Sequence, residues 1–152
     1  MFDASQDTLQ SRLVVDRATH SIRLTRHFAA SAARVFQAWT TPEDVRCWWD
    51  PTGEPLALCE IDLRLGGAFT FVNKHHSEQP FSGTYVEISP PGRLVFDALG
   101  SRGTVSIEEK AGQTRLVVEI ACASAEHLDQ FLQIGVAEGT QATLDNLVAY
   151  LK

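Results

Sequence analysis

Cysteine and methionine are scarce in this chain of 152 residues, which has three cysteines and one methionine. Cys47, Cys59 and Cys122 are odd in number and widely spaced, and no CxxC pair occurs, so no disulfide framework, zinc knuckle or thioredoxin-type site is encoded. Cysteines without such motifs usually act as small buried hydrophobic residues of proteins in a reducing cytosol. The sequence therefore predicts a cytoplasmic protein with no metal and no cofactor.

Long hydrophobic runs are also missing, since no apolar stretch approaches the roughly 20 residues needed to cross a bilayer. The first seven residues are polar and acidic, unlike a signal peptide. Nineteen acidic against thirteen basic residues give a net charge of −6, which disfavours binding to a phosphate backbone. We therefore expect neither a membrane nor a nucleic acid as partner, and a monomer or homodimer.

Aromatic residues, in contrast, are unevenly concentrated in the first half of the chain. The sequence has eight Phe, three Trp and two Tyr. Most of them lie between residues 36 and 85, as Phe36, Trp39, Trp48, Trp49, Phe69, Phe71, Phe81 and Tyr85. Large rigid rings can wall a cavity without collapsing into it, although a small domain also needs such rings simply for its core.

The hydrophobic periodicity divides the chain into a flexible leader, residues 1–11, and one domain, residues 12–152. A hairpin is followed by two short helices near residues 31–49, and then by strands at roughly ten-residue spacing up to residue 122. A helical stripe runs from residue 126 to residue 151 without proline. The pattern predicts an α+β fold in which a curved antiparallel sheet of about six to seven strands wraps around a long C-terminal helix, with two short helices after the first strand.

Two glycines, Gly135 and Gly139, lie four residues apart and so share one face of the predicted C-terminal helix. Each costs about 1 kcal/mol relative to alanine inside a helix. Either a neighbour packs closely against the bare backbone, or the gap leaves room for a ligand. Both interpretations remain open from the sequence.

Four segments in order carry a resemblance to a known family. They are residues 28–43 (FAASAARVFQAWTTPE) followed by Trp48-Trp49, residues 62–71 (DLRLGGAFTF), residues 81–95 (FSGTYVEISPPGRLV) and residues 135–151 (GVAEGTQATLDNLVAYL). Together they resemble the family homologous to the C-terminal domain of the heat-shock-protein-90 ATPase activator, within the START-like (SRPBCC) helix-grip superfamily. The chain departs from that family at Ser31, often a proline, and at Val136, often a tryptophan. The resemblance implies the helix-grip fold and a pocket, and no shared catalytic residues.

Signals for catalysis are weak. The sequence has no GxSxG motif and no phosphate-binding loop. His75 and His76 would point to opposite faces of a strand and so could not share one metal ion. Asp62 and Arg64 form an outward charge row unless the Gly66-Gly67 bulge turns them inward, where they could contact a ligand.

We therefore predict that the protein binds a small hydrophobic, aromatic or lipid-like molecule between the sheet and the C-terminal helix. The expected lining is Trp39, Trp48, Trp49, Phe69, Phe71, Phe81, Tyr85, Phe96, Phe131, Gly135 and Gly139, with Asp62, Arg64 and His127 as candidate polar contacts. The sequence does not show which of Trp48 and Trp49 faces the cavity.

Two other functions remain open. The first is a cyclase- or hydrolase-like enzyme that uses the same cavity, with Asp62, His127 or Glu138 moving protons. The second, implied by the family's name, is a stress-response protein that contacts a chaperone.

Overall fold

The fold is built on one antiparallel sheet, seen in a computed structural model that describes residues 11–152. Over these residues the chain runs β1 (Ser11–Asp16), β2 (Ser21–Phe28), α1 (Ala32–Thr40), α2 (Pro42–Trp48), β3 (Leu58–Ile61), β4 (Ala68–Val72), β5 (Phe81–Ser89), β6 (Arg93–Ala98), β7 (Ser101–Lys110), β8 (Gln113–Ala121), α3 (Ala125–Gln133) and α4 (Val136–Tyr150). The strand order across the sheet is β1-β2-β8-β7-β6-β5-β4-β3.

The α+β class and the antiparallel sheet agree with the prediction, but the strand count does not. Residues 11–152 contain eight strands rather than six to seven, because short strands, β1 and β3, close the two edges of the sheet. The two short helices follow β2 rather than the first strand, since β1 pairs with β2 as a complete hairpin. Apart from Ser11, which opens β1, the predicted leader lies outside the described residues.

Side-chain alternation gives the sheet one apolar face. On β2, Ile22 and Leu24 are fully buried, and on β8, across the ladder, Val118 lies opposite Leu24 and is 3% exposed. The next strand continues this face with Val105, which pairs with Val118. Residues two apart on a strand share a face, so these positions form a continuous apolar surface that a helix can cover.

The two short helices begin at residues suited to that position. The Ser31 hydroxyl caps α1 by accepting a hydrogen bond from the Arg34 backbone N–H at 3.2 Å, and the Glu109 carboxylate of β7 accepts one from the Ala32 N–H at 2.8 Å. Pro42 stands at the start of α2, where its missing N–H costs nothing. No helix within residues 11–152 has the length and apolar character needed to span a membrane.

The C-terminal helix is broken, contrary to the prediction of a single helix over residues 126–151. Gly135 adopts a left-handed conformation, with φ of 84°, and separates α3 from α4. This conformation ends a helix and is one that glycine adopts without a steric penalty. Helical periodicity continues on both sides of the break, so the apolar stripe alone does not reveal it.

Helix α4 packs on β2 and on α2. Its buried residues Leu144 and Leu147 belong to the same apolar core as Ile22 and Leu24. Beside them, the buried Arg26 guanidinium of β2 donates to the Asp145 carboxylate at 3.1 Å. Helix α4 therefore packs near the β2 edge of the sheet, while α1 contacts β7 and α2 contacts β3 at the opposite edge.

Asp44 joins three helices. Its carboxylate, 8% exposed as a residue, accepts two hydrogen bonds from the Arg34 guanidinium of α1, at 2.8 and 3.2 Å. It also accepts one from the Tyr150 hydroxyl at the end of α4, at 2.5 Å. The Arg34 guanidinium lowers the pKa of Asp44 against the opposing effect of burial, and the Asp44 carboxylate in turn raises the pKa of Tyr150. An ionised Asp44 therefore fixes α2 to both neighbouring helices.

Replacing Asp44 by asparagine should lower the free energy of unfolding by about 1–2 kcal/mol at pH 7, because two partners lose a charged acceptor. The folded-state pKa of Asp44 is lowered, so the carboxylate stabilises fully above its unfolded pKa of about 3.9. That contribution disappears as the pH falls through the folded-state pKa. Urea denaturation at pH 7, and in steps from pH 5 to pH 3, measures the free energy of unfolding of wild type and of Asp44→Asn. The difference between the two proteins should become smaller below about pH 4.

A matched control is Asp129→Asn, which removes the carboxylate of an exposed ion pair with Arg17. Exposed pairs contribute little, so this variant should unfold almost like wild type at every pH. If Asp44→Asn is no less stable than Asp129→Asn at pH 7, the role assigned to Asp44 is wrong.

Candidate functional site

A cavity of about 290 Å³ lies between the inner face of the sheet and helix α4. Its floor comes from strands β5 to β8, its roof from α3 and α4, and its side from Trp39, Trp49 and the loops that carry Pro51 and Asn73. The full lining is Trp39, Trp49, Pro51, Asn73, Phe81, Phe96, Ala98, Leu99, Ser101, Gly103, Val118, Ile120, Phe131, Val136, Gly139, Thr140 and Thr143. The space is near the lower end of the roughly 300–1,000 Å³ typical of small-molecule sites.

A second, much smaller void adjoins this cavity. It measures about 10 Å³, roughly the space of one water molecule, and has Trp39, Trp49 and Phe96 in common with the cavity. Phe69, Phe71 and Tyr85 lie on its wall. Burial raises the pKa of the Tyr85 phenol, which therefore stays protonated.

The predicted aromatic lining divides between these two spaces. Six of the predicted residues line the cavity, and three more line only the small void. The cavity group is Trp39, Trp49, Phe81, Phe96, Phe131 and Gly139, and the void group is Phe69, Phe71 and Tyr85. The remaining two predicted residues, Trp48 and Gly135, line neither space.

Trp48 and Trp49 have different surroundings, although they are adjacent. Trp48 is fully buried, and its indole N–H donates to the Ala38 carbonyl at 3.0 Å, so it anchors α2 to α1. Trp49 is half-buried and packs edge-to-face on Phe71, with ring centroids 4.9 Å apart. Successive helical residues point about 100° apart, which is why one ring enters the core and the other reaches the cavity.

Two cross-strand pairs of glycine and phenylalanine shape the floor. Phe69 lies opposite Gly83, and Phe96 lies opposite Gly103. A Cβ atom built on Gly83 would meet Phe69 Cζ at 2.6 Å, and one built on Gly103 would meet two Phe96 ring atoms at 2.6 Å. Both rings therefore lie over bare backbone. A side chain at Gly103 would push Phe96 off the sheet, and one at Gly83 would clash with the Asp97 backbone carbonyl as well as with Phe69.

The helix glycines do not serve close packing. A Cβ on Gly139 would have Pro51 Cγ as its nearest neighbour, at 3.9 Å, and one on Gly135 would have only Glu138 Oε1, at 4.0 Å. Gly139 lines the cavity, so its missing side chain leaves space beside the Pro51 loop. Gly135 instead provides the left-handed break between α3 and α4. The sequence left open whether the helix glycines allow close packing or leave room for a ligand. For Gly139 the structure shows open space.

Most of the candidate polar contacts lie outside the cavity. Asp62 and Arg64 belong to the turn after β3, not to a strand, and form an exposed ion pair at 2.9 Å. Glu138 is exposed on α4. His75 and His76 also lie in a loop rather than a strand, and His75 pairs with Glu54 at 2.6 Å. The outward interpretation of Asp62 and Arg64 is therefore the correct one.

His127 lies at the rim and holds it together. Its Nδ1 accepts from the Ala123 N–H at 3.0 Å, so its Nε2 carries the proton and donates to the Leu99 carbonyl at 3.2 Å. The ring also packs edge-to-face on Phe131, with centroids 4.5 Å apart. Leu99 and Phe131 both line the cavity, so His127 positions the wall without belonging to it.

The polar lining residues Asn73, Ser101, Thr140 and Thr143 were missed by the sequence reasoning, which concentrated on rings and charges. The two threonines had a usable signal. Val136, Gly139, Thr140 and Thr143 recur at helical spacing and so share a face with the glycine that the sequence does single out. Ser101 and Asn73 carry no comparable signal.

The cavity wall has no charged side chain among the described residues. The protons of its serine and threonine hydroxyls are already donated to backbone carbonyls. Thr140 donates to the Val136 carbonyl at 2.7 Å, Thr143 to the Thr140 carbonyl at 2.9 Å, and Ser101 to the Ala98 carbonyl at 2.8 Å. These hydroxyls can therefore offer lone pairs, but not protons, to a bound molecule.

One fully buried donor in the wall is unpaired. The indole Nε1 of Trp39 is buried and has no hydrogen-bond partner among the described residues. An unsatisfied buried donor costs about 1–3 kcal/mol. Native structures leave few such groups without a reason, and Trp39 lines both the cavity and the small void.

The fold and the cavity define a helix-grip domain, in which a curved sheet and a C-terminal helix enclose a largely apolar space. The family described as activator of Hsp90 ATPase homolog 1-like protein matches residues 29–152. The chain therefore belongs to this family, as the sequence resemblance predicts. No curated protein sequence matches the chain significantly.

Solved structures share the fold at low sequence identity. Protein Ms6760 from Mycobacterium smegmatis has a TM-score of 0.78 at 24% identity, over 92% of this chain and 96% of that one. A protein from Arthrobacter aurescens gives 0.80 at 22%, over 92% and 90%. CalU16 from Micromonospora echinospora gives 0.69 at 24%, over 93% and 86%. These similarities concern the fold alone.

The contact between Phe96 and Gly103 gives a test of how the floor is built. Gly103→Ala should lower the free energy of unfolding by about 1–3 kcal/mol, because the new methyl group displaces the Phe96 ring. The same substitution in a Phe96→Ala background should cost much less, since the clashing ring is gone. Urea denaturation of the four proteins measures the coupling, and additive effects would contradict the contact.

Proposed function

We propose that this protein binds a small hydrophobic molecule, aromatic or lipid-like, in the cavity between the sheet and helix α4. The observation that carries the proposal is the cavity itself, with a volume of about 290 Å³, aromatic walls and no charged lining residue. Ligand sites in proteins are mostly apolar with a few placed polar groups, which describes this wall. The missing side chain at Gly139 keeps the space open.

The same lining favours binding over catalysis. General acid–base chemistry needs a titratable side chain within hydrogen-bond reach of the substrate. The sequence suggests three residues that could move protons in an enzyme of this fold, namely Asp62, His127 and Glu138. None of the three lines the cavity. A cyclase- or hydrolase-like activity therefore remains only an alternative to binding.

The cellular setting is proposed on separate grounds. Cys47, Cys59 and Cys122 are all free thiols, and burial raises the pKa of the Cys59 thiol to about 11, so this group is inert. Three free thiols without a disulfide, one of them unreactive, support the proposal of a reducing, cytoplasmic location. A chaperone contact remains the third alternative, and a pull-down from a cell extract would test it.

Filling the gap at Gly139 should weaken binding at least tenfold without harming the fold. Gly139→Leu places a side chain where the nearest neighbour of a Cβ is 3.9 Å away, and it removes a helix glycine that costs about 1 kcal/mol. Titration with N-phenyl-1-naphthylamine, a neutral fluorophore, should show bright, saturable binding to wild type and at least tenfold weaker binding to the variant. The free energy of unfolding should not fall.

Ala149→Leu is the matched control, because Ala149 is exposed on the same helix and outside the cavity. It should bind the fluorophore as wild type does. A ligand present at 100 times its dissociation constant should also add about 2.7 kcal/mol to wild-type stability. The proposal fails if wild type binds no neutral apolar probe, or if Gly139→Leu binds as tightly as wild type.

A further inference from the structure

We propose that Leu99 is a gate: its side chain obstructs the mouth of the cavity, and His127 holds in place the β6–β7 turn that carries it. The inference rests on the proposed function and adds how a bound molecule enters and leaves. Three observations support it: the position of the mouth, the residue type in the turn, and the attachment of the turn to the segment before α3.

The mouth of the cavity lies between a loop and a turn. Of the seventeen residues that line the cavity, Pro51 and Leu99 are exposed, and the others are half-buried or buried. Pro51 lies next to helix α4, since a Cβ on Gly139 would meet its Cγ at 3.9 Å. Leu99, which is 60% exposed, lies in the turn between β6 and β7, at the end of the floor. A molecule that enters between the two passes the Leu99 side chain.

The β6–β7 turn carries a leucine at a position that disfavours it. Ala98 pairs with Ser101, so Leu99 and Gly100 form a two-residue hairpin loop. Their φ angles are 55° and 76°, and two successive positive values define a type I′ turn. Asn, Asp and Gly are the usual first residues of such a turn, because a side chain branched like that of leucine strains a left-handed backbone. The turn therefore keeps an apolar side chain at the mouth at a cost in backbone strain.

A second turn of the same kind shows that strain alone does not mark a function. Ala111 and Gly112 join β7 to β8, with φ angles of 53° and 79°. Ala111 is also strained, but its turn lies at the other end of β7 and does not line the cavity. What distinguishes Leu99 is a large apolar side chain at the mouth of an apolar space.

His127 fixes the backbone of this turn. Its Nε2–H donates to the Leu99 carbonyl at 3.2 Å, and its ring lies beside Gly100, where a Cβ would meet His127 Cε1 at 3.5 Å. The other ring nitrogen accepts from the Ala123 N–H at 3.0 Å, so the imidazole joins the turn to the segment that leads into α3. The rotamers open to a side chain depend on its backbone angles. His127 therefore restricts Leu99 through the backbone, as a positioning residue.

A gate and a wall contact differ in the rate constant that they change. A residue that only touches the bound molecule affects mainly the dissociation rate constant, as most contact substitutions do. A residue that obstructs the mouth slows association as well, because binding then waits for a change of conformation. The association rate constant therefore separates the two roles of Leu99.

Stopped-flow fluorescence with N-phenyl-1-naphthylamine measures both rate constants. Leu99→Gly removes the side chain, and association should become at least about fivefold faster than in wild type. Leu99→Trp places a larger side chain at the mouth, and association should become at least about fivefold slower. A general loosening of the fold can speed exchange but cannot slow it, so the opposite signs distinguish a gate from a loss of stability.

Ala111→Gly is the matched control, because it makes the same backbone change in the other type I′ turn. It should leave both rate constants as in wild type. Neither glycine variant should lower the melting temperature by more than about 2 °C, since glycine adopts a positive φ without strain. Association that is equally fast in Ala111→Gly and Leu99→Gly would overturn the inference.

His127→Phe tests the positioning role. It keeps a ring against Phe131 but removes the hydrogen bonds to Leu99 and Ala123. Association should become faster than in wild type, but the same substitution should have no further effect in Leu99→Gly, where no side chain is left to position. Equal effects in the two backgrounds would mean that His127 acts only by stabilising the fold, and its assigned role would be wrong.

The outcomes separate this inference from the proposed function. If the fluorophore binds wild type, but Leu99→Gly and Leu99→Trp change only the dissociation rate constant, Leu99 is a wall contact and the gate is wrong while the proposed function stands. If the fluorophore does not bind wild type, both fail.

Discussion

One helix cannot cover an eight-stranded sheet, and the rest of the structure follows from this mismatch. Strands spaced about 4.8 Å apart give a sheet roughly 34 Å wide, whereas a helix with its side chains is about 10–12 Å across. Helix α4 packs against β2, and α2 reaches β3 at the opposite edge. Helix α1 contacts β7 between them, and aromatic rings cover the remaining width of the central strands. Rings fill that width only in part, and the cavity is the remainder.

The cavity stays open because the parts around it are fixed. Asp44 fixes the short helices to the end of α4, so the roof cannot settle onto the floor. On the floor Phe96 lies over Gly103, and beside the small void Phe69 lies over Gly83, so both rings touch bare backbone. A methionine at these positions has one more rotatable bond and would turn into the empty space. Rigid rings over glycine cover the sheet and leave the space above it free.

Local patterns in the sequence account for the fold class and for the aromatic part of the wall. Alternation predicts an apolar sheet face, and the two short helices lie near residues 31–49, where the sequence predicts them. What the patterns miss depends on tertiary contact or on backbone conformation. The break at Gly135 has no signal in the hydrophobic period, and the edge strands are short. Only the packed structure separates Trp48 from Trp49, because both satisfy the same pattern.

The unpaired Trp39 N–H is of a different kind, since no sequence pattern can show that a buried donor lacks a partner. Trp48 pairs its own N–H with the Ala38 carbonyl on the same helix as Trp39, so the two indoles differ although they lie edge-to-face. A buried group without a partner lowers the stability of the folded protein, and the Nδ1 atoms of His20 and His27 are unpaired in the same way outside the cavity wall. The unpaired indole therefore does not by itself distinguish the cavity from a core. The distinction rests on the open space beside Gly139 and on a wall without charged side chains, because a core built only for stability would close such a space.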